Sequence, residues 1–251
     1  MQFRLLVLAT AVLASTSLFA SVTEEETFTF TLEDGGRFSL SNVNGSVTVT
    51  GVSGNKVEIV ATKKADNQDD LDDIEIQISN SAHEVVVETE IGKSKRWFSF
   101  GNNSGEVRYD VTVPAGTELD SIDTVNGGVN ISGVSGEVNA ESVNGDIEVE
   151  DLVSDVTLGT VNGSIDASFK KLADRQNVKA ETVNGRVTVY LPGDADVKIS
   201  ADTLNGSINA RDFDLETDKG FVGSDLNGAI GGGSARLNID TVNGSIKIRR
   251  N

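Results

Sequence analysis

Residues 124–132 read Thr-Val-Asn-Gly-Gly-Val-Asn-Ile-Ser, and the centre of this stretch, an aliphatic residue followed by Asn-Gly, returns throughout the chain. The eight copies begin at Val43, Val125, Val143, Val161, Val183, Leu204, Leu226 and Val242. The glycines of the last seven copies are separated by 18, 18, 22, 21, 22 and 16 residues. A tripeptide at near-constant spacing indicates one supersecondary unit used many times, as in stacked repeat proteins.

Asn-Gly between alternating apolar residues is normally the turn of a two-residue hairpin. Such a hairpin would place Val125 on the face opposite Val129 and Ile131. In every copy an aliphatic side chain would then lie on the face away from the core. We therefore interpret Asn-Gly as a corner, after which the next strand joins a different sheet and all three side chains point into one core. Each coil would then stack on the preceding one, about 4.8 Å further along an axis.

The composition of the corner has a local explanation. Glycine adopts positive φ freely and asparagine tolerates it, so we expect this conformation at the corner. Stacked asparagine side chains can also hydrogen-bond to their neighbours and form a ladder. The expected structural ladder comprises Asn44, Asn126, Asn144, Asn162, Asn184, Asn205, Asn227 and Asn243.

The N-terminal part has a different pattern, in which residues such as Ile74, Ile76 and Ile78 alternate with polar ones, as in antiparallel strands with one wet face. We predict an all-β protein, a β-solenoid in the form of a right-handed β-helix, with an N-terminal antiparallel β cap. The expected division is a signal peptide at 1–20, the cap with the first repeat at 21–118, and the solenoid repeats at 119–251. The last two segments would form one structural unit.

The first 20 residues have the pattern of a secretory signal peptide. A basic start, Met1–Arg4, precedes the apolar run Leu5–Ala14, and small residues follow, with cleavage expected after Ala20. The alternative is an N-terminal membrane anchor, but the run is shorter than the roughly 20 apolar residues that a span needs. We therefore predict a periplasmic or secreted protein with no membrane span after cleavage.

The charge balance excludes several partners. The formal net charge is −18, and loss of Arg4 with the signal peptide would make it −19. Such a surface repels nucleic acid and anionic lipid. The chain contains no cysteine, so stability must come from packing and backbone hydrogen bonds.

The residues offer little for catalysis or metal binding, and no cofactor is expected. His83 is the only histidine and has no cysteine or second histidine to pair with, so we interpret it as a solvated turn residue. The acidic group Asp69, Asp70, Asp72 and Asp73 is a weak Ca²⁺ candidate. Leu71 stands where an EF-hand loop needs glycine, and a solvated acidic loop is the simpler interpretation.

The segment 93–101 combines basic and aromatic residues, which are enriched at binding surfaces. The candidate binding residues are Lys93, Lys95, Arg96, Trp97, Phe98 and Phe100. The alternative is a hairpin tip folded back over the end of the solenoid.

The Val-Asn-Gly-x-Val units, the Val-Pro-x-Gly turn at 113–116 and the Leu-Pro-Gly-Asp-Ala turn at 191–195 resemble the bacterial putative-adhesin β-strand-repeat family. The resemblance covers about residues 38–251. It implies an envelope-associated or secreted β-solenoid, and it supplies no catalytic residues.

These observations favour an exported, non-enzymatic structural or adhesive binding module of the bacterial cell envelope, whose partner is a protein or a glycan. The first alternative is a polysaccharide-acting enzyme on a β-solenoid scaffold. Hydrolysis needs a pair of carboxylates across a groove, and no motif isolates such a pair. The second alternative is a periplasmic partner protein in envelope sensing.

Overall fold

The chain alternates between two sheets in the computed structural model, which describes residues 21–92, 105–220 and 223–251. The strands are β1 (Val22–Thr31), β2 (Arg37–Asn44), β3 (Val47–Val52), β4 (Lys56–Ala65), β5 (Ile74–Asn80), β6 (Glu84–Ile91), β7 (Glu106–Pro114), β8 (Glu118–Asn126), β9 (Val129–Ser132), β10 (Val138–Asn144), β11 (Ile147–Glu150), β12 (Val156–Asn162), β13 (Ile165–Ser168), β14 (Asn177–Asn184), β15 (Val187–Leu191), β16 (Val197–Asn205), β17 (Ile208–Asn209), β18 (Asp218–Lys219), β19 (Ser224–Ile230), β20 (Ala235–Asn243) and β21 (Ile246–Arg250). One short α-helix, α1 (Gln68–Asp72), and one 3₁₀ turn, Arg211–Phe213, complete the described elements.

Sheet A has the strand order β1-β4-β7-β3-β9-β11-β13-β15-β21-β17, and sheet B has the order β18-β19-β16-β20-β14-β12-β10-β8-β2-β6-β5. The central pairs of both sheets are parallel. Antiparallel pairs lie towards the ends. At the N-terminal end they join β1, β4 and β7 in sheet A and β5 and β6 in sheet B. At the other end they join β16, β19 and β18 in sheet B. The predicted all-β, solenoid-like architecture is therefore confirmed, as two long parallel-rich sheets that do not close.

The predicted change of sheet at Asn-Gly is also confirmed. β8 belongs to sheet B and ends at Asn126, and β9 begins at Val129 in sheet A. The next coil repeats this path, because β10 ends at Asn144 in sheet B and β11 begins at Ile147 in sheet A. Each such coil therefore consists of one strand from each sheet, and equivalent residues of successive coils lie side by side, as Val129 and Ile147 do.

The predicted burial of the aliphatic residue at the corner was wrong. Val125 is 41% exposed, whereas Ile122 and Thr124 of the same strand are buried. From Ile122 to Val125 strand β8 alternates between buried and more exposed residues, so Val125 points away from the core and the hydroxyl residue before it takes the inner place. The backbone turns after Asn126, where β8 ends, and Val125 still belongs to the strand and points outwards.

The expected positive φ was wrong for most corners. Gly45 has a φ of 116°, but the corner glycines from Gly127 onwards are not among the positive-φ residues, and neither are the asparagines. The glycines are required for a different reason, the close approach of neighbouring coils that is described below.

The seventh repeat, at Leu226, is not a corner. Leu226, Asn227 and Gly228 lie inside β19, which runs antiparallel to β16 with Asn227 opposite Ser200. Asn227 therefore stands outside the row of corner asparagines that we predicted it to join. Its Oδ1 instead accepts a hydrogen bond from Ser200 Oγ at 3.1 Å. The strand pairing explains this difference, because a residue in mid-strand has no corner neighbour to stack on.

We expected each coil to stack on the preceding one in the sequence. This was wrong for the last coils. The last strands, β20 and β21, lie between earlier ones: β20 separates β14 from β16, and β21 separates β15 from β17. The C-terminal coil therefore fills an interior position, and the preceding coil lies at the end of the stack.

The core lies between the two sheets and repeats from coil to coil. Val138 and Ala140 of β10 face Ile147 and Val149 of β11, and all four are buried. Larger side chains such as Phe169 fill the side opposite the Asn-Gly corners. A continuous aliphatic core is the main stabilising contribution in a chain without disulfides.

Polar groups enter this core at the end formed by the N-terminal strands. Thr89 Oγ1 and the Tyr109 hydroxyl are 2.7 Å apart and buried. Lys63 pairs with Glu26 close to this contact. Burial raises the pKa of Tyr109 to about 12, because the phenolate would lie in a poorly solvated environment.

Removing residues 235–251 should destabilise the end of the stack beyond β14 and β15. The truncation deletes β20 and β21, so β16 and β17 lose the strands that join them to the rest of the sheets. Hydrogen exchange should show lost protection at 197–209 and retained protection at 138–168. Unchanged protection at 197–209 would contradict the interior position of the last coil.

The free energy of unfolding should decrease as the pH rises above 10, and part of this decrease should come from Tyr109. The folded pKa is raised above the unfolded value of about 10, so this contribution is complete below pH 10 and is lost as the pH rises through about 12. The full loss is about 3 kcal/mol, from two pKa units at about 1.4 kcal/mol each. Urea titrations of wild type and Tyr109→Phe between pH 8 and 12 test this, and parallel curves for the two proteins would contradict it.

Candidate functional site

Seven of the eight repeat asparagines form one row along the corners. In spatial order the row is Asn44, Asn126, Asn144, Asn162, Asn184, Asn243 and Asn205. Each Nδ2 donates to the Oδ1 of the preceding asparagine at 2.8–2.9 Å. Asn44 Nδ2 donates at 2.9 Å to the carbonyl of Gly105. The exposed amides thus hydrogen-bond to one another, and we interpret the row as structural.

A second row of hydrogen bonds lies just inside the corner. The buried hydroxyls of the residues two positions before each asparagine donate to the corner-glycine carbonyl of the neighbouring coil at 2.9–3.3 Å. These residues are Thr124, Ser142, Thr160, Thr182, Thr241 and Thr203. In the first copy Asn42 takes the place of the hydroxyl residue, and its Nδ2 donates to Gly45 at 3.1 Å and to Val107 at 2.8 Å.

The corner glycines bring the backbones of adjacent coils into close contact. A Cβ on Gly145 would overlap the carbonyl oxygen of Gly127, and the same clash recurs at Gly163, Gly185 and Gly244. The N–H of Gly145 meanwhile donates to the Asn162 carbonyl at 3.1 Å. Only a residue without a side chain fits this stack, so the glycine is required by close approach.

The corners leave a row of aliphatic side chains on the outer face of sheet B. We call it the aliphatic row; in spatial order it comprises Val125, Val143, Val161, Val183, Val242 and Leu204. Their exposed fractions lie between 39% and 52%. The row crosses six adjacent strands, β8 to β16, and five spacings of about 4.8 Å make it about 24 Å long.

A row of acidic side chains runs parallel to the aliphatic row. Five of its members stand two residues before an aliphatic one on the same strand, and Asp225 of β19 lies opposite Asp202. This carboxylate row comprises, in spatial order, Asp123, Glu141, Glu181, Asp240, Asp202 and Asp225. Gly159 interrupts it between Glu141 and Glu181. The two rows border a trough with a cavity volume of about 1030 Å³.

Like charges face one another across neighbouring strands in this row, an arrangement that destabilises a sheet. Partial burial raises the pKa of Asp240, and the charges of Glu181 and Asp202 raise it further. Lys179 partly offsets the charge, because its Nζ lies 2.9 Å from Glu181 Oε1. The trough therefore presents a strongly negative border beside an apolar one.

The site residues that the sequence suggested lie elsewhere. Lys93, Lys95, Arg96, Trp97, Phe98 and Phe100 are outside the described residues, as is the predicted signal peptide. His83 is exposed in the turn between β5 and β6, with Nδ1 3.5 Å from Glu33 Oε2.

The acidic candidates Asp69, Asp70 and Asp72 belong to α1, and Asp73 follows it directly, so the expected loop is a short helix. Asn67 Nδ2 donates to Asp70 Oδ2 at 2.8 Å, and Gln68 Nε2 donates to Asp72 Oδ1 at 2.7 Å. In the part of the chain that the structure describes, no group of three or more Asp, Glu or His side chains is arranged to hold a metal ion.

Neither border of the trough was predicted, although the sequence carried a signal for each. An acidic residue stands two positions before the aliphatic one in most copies, as in Asp123-Thr124-Val125 and Glu181-Thr182-Val183. Two residues of one strand separated by two positions share a face. Reading the hydroxyl residue between them as the buried one would have placed both rows outside.

Comparison with known proteins assigns the family. The family described as Toastrack DUF4097 matches residues 35–249. The chain belongs to this family. The comparison with curated proteins gave no match. No helix within residues 21–92, 105–220 and 223–251 is long and apolar enough to cross a membrane.

Solved structures that resemble this Toastrack chain are distant in sequence. One is described as a putative cell adhesion protein from Clostridium sporogenes; it is 17% identical, the match covers 91% of this chain and 100% of that one, and the TM-score is 0.49. Another is a putative adhesin from Bacteroides fragilis, 15% identical, with 90% and 97% of the two chains covered and a TM-score of 0.43. Both descriptions refer to adhesion, and they apply to those two proteins.

Replacing Gly145 by alanine should destabilise the protein by more than about 2 kcal/mol, because the methyl group forces two stacked backbones apart. Gly159→Ala is the matched control, since its Cβ would meet the Glu141 side chain at 3.7 Å (Cγ) and 4.0 Å (Cδ), which are ordinary contacts. We expect that control to stay within about 1 kcal/mol of wild type. Chemical denaturation measures both, and equal effects would contradict close approach as the reason for the corner glycines.

Proposed function

We propose that this Toastrack chain is a non-catalytic binding module of the bacterial cell envelope and that the trough across sheet B is its binding surface. The observation that carries the proposal is the aliphatic row, whose six members are 39–52% exposed and lie next to one another. A continuous exposed apolar strip bordered by polar residues is typical of interaction sites.

The fold does not need these side chains to be aliphatic. The corner is held by the asparagine row, the hydroxyl row and the close-packed glycines, and the aliphatic side chains take no part in those contacts. Threonine has a similar shape and β-propensity and would avoid an exposed apolar surface. The six aliphatic residues are therefore better explained by a partner that covers them.

The arrangement of the acidic residues supports binding over hydrolysis. Glycoside hydrolysis needs two carboxyl groups on opposite sides of the bound sugar. In the trough all six carboxylates lie along one border, and the opposite border is aliphatic. Among the described residues that line the trough, none is an aromatic residue on which a sugar ring could stack, which favours a peptide partner over a glycan.

The proposed location depends on the sequence of residues 1–20, which has the pattern of an export signal. An exported module would meet partners in the periplasm or outside the cell. The strongly negative net charge of −18 disfavours nucleic acid and anionic lipid as partners.

The proposal can be tested with a displayed library of random 16-residue peptides selected on the wild-type protein. Peptides selected in this way should lose at least about tenfold in affinity for the double variant Val161→Thr/Val183→Thr, because both side chains lie in the middle of the aliphatic row. Fluorescence anisotropy of the selected peptides gives the dissociation constants.

The matched control is Val52→Thr/Val153→Thr, which alters two valines of equal exposure, 39% and 41%, outside the trough. We expect this control to bind like wild type. If the selected peptides bind the trough variant and the control variant equally well, the trough is not the binding surface.

A further inference from the structure

We infer that the ligand of the trough is a cationic amphipathic peptide segment that lies along the trough as an α-helix, with its apolar stripe on the aliphatic row and its Lys and Arg side chains over the carboxylate row. This inference rests on the proposed binding function and specifies the chemistry and conformation of the partner. Each border of the trough supports this inference independently. The aliphatic row indicates an apolar face on the partner, and the carboxylate row indicates positive charge.

The carboxylate row requires a positively charged partner. Within the described ranges, Glu141, Asp240 and Asp202 form no ion pair, and the trough lining contains no basic residue. Except across Gly159, adjacent members lie about one strand spacing apart, so their mutual repulsion is partly uncompensated. Partial burial raises the pKa of Asp240, and the neighbouring charges of Glu181 and Asp202 raise it further. Cationic side chains placed above the row would remove it and would speed association through electrostatic steering.

The same charge pattern argues against other occupants. A second copy of this chain would bring another carboxylate row and another net charge of −18 to the interface. Nucleic acid and anionic lipid would be repelled for the same reason. A cationic peptide with an apolar face satisfies both borders at once.

The spacing of the aliphatic row favours a helix over an extended peptide. Successive row members are about 4.8 Å apart, and a helical turn advances 5.4 Å, so the mismatch is only about 0.6 Å per turn. An extended peptide lying along the row would present same-face side chains about 6.7 Å apart and would be out of step by about 2 Å at the first contact. The row, about 24 Å long, accommodates a helix of about 16 residues, which makes this a helix-in-groove mode of recognition.

Three synthetic peptides of about 16 residues separate these features. The first places Leu at helical spacing (i, i+3, i+4, i+7) and Lys elsewhere. The second has the same composition with Leu and Lys alternating, and the third keeps the helical Leu pattern but replaces Lys by Glu. We expect wild-type protein to bind the first peptide most tightly, at least about tenfold more tightly than the other two, with increased peptide helicity in circular dichroism.

Neutralising part of the carboxylate row tests the role of charge in the protein. The triple variant Glu141→Gln/Glu181→Gln/Asp240→Asn should bind the helical Lys peptide roughly tenfold more weakly and with less salt dependence. The matched control, Glu148→Gln/Glu150→Gln/Asp166→Asn, makes the same change in net charge on sheet A and should bind like wild type.

The outcomes distinguish this inference from the proposed function. If the Glu peptide binds as tightly as the Lys peptide, or if the two triple variants behave alike, the cationic partner is overturned. If the alternating peptide binds as tightly as the helical one, the helical conformation is overturned. If the Lys peptide binds but Val161→Thr/Val183→Thr does not weaken it, the trough itself is overturned as the binding surface.

Discussion

The close approach of backbones at the Asn-Gly corners is the constraint on which the rest of the structure depends. Successive corner glycines are so near that a Cβ on Gly145 would overlap the carbonyl oxygen of Gly127. That proximity lets the asparagine amides reach one another outside the corner at 2.8–2.9 Å. It also lets the buried hydroxyls, such as that of Thr160, reach the neighbouring glycine carbonyl at 3.0 Å inside it. Three residue types at each corner thus satisfy the polar groups that a sharp turn would otherwise leave unpaired.

This corner also determines the outer surface. Because the hydroxyl residue must face inwards to reach the glycine carbonyl, the residues on either side of it in the strand must face outwards. Those residues are acidic on one side and aliphatic on the other, and stacking the coils extends each into a row. The corner geometry therefore fixes where the trough lies. It does not fix which residue types line the trough, so these can be suited to a partner.

The coil arrangement, two strands per repeat with a change of sheet at Asn-Gly, could be predicted because it follows from residue spacing and turn chemistry. The orientation of Val125 could not be predicted from apolar character alone. An aliphatic residue repeated eight times indicated a buried position, but the buried position belongs to Thr124, whose hydroxyl donates to the Gly45 carbonyl of the neighbouring coil. The trough was missed for the same reason. The role of the segment 93–101 remains a prediction.

By itself, the sequence determined that the chain is built from repeated strand–corner–strand units, because the local preference of Asn-Gly and the alternation of side chains are properties of a few adjacent residues. Only the tertiary structure decided which coils are neighbours. Nearly identical coils can stack on one another in any order, so nothing local distinguishes the β14–β20 contact from a β14–β16 contact. Likewise, only stacking shows that six separate aliphatic residues and six separate carboxylates become two continuous rows, because residues far apart in the chain are brought to one strand spacing by the sheet hydrogen bonds.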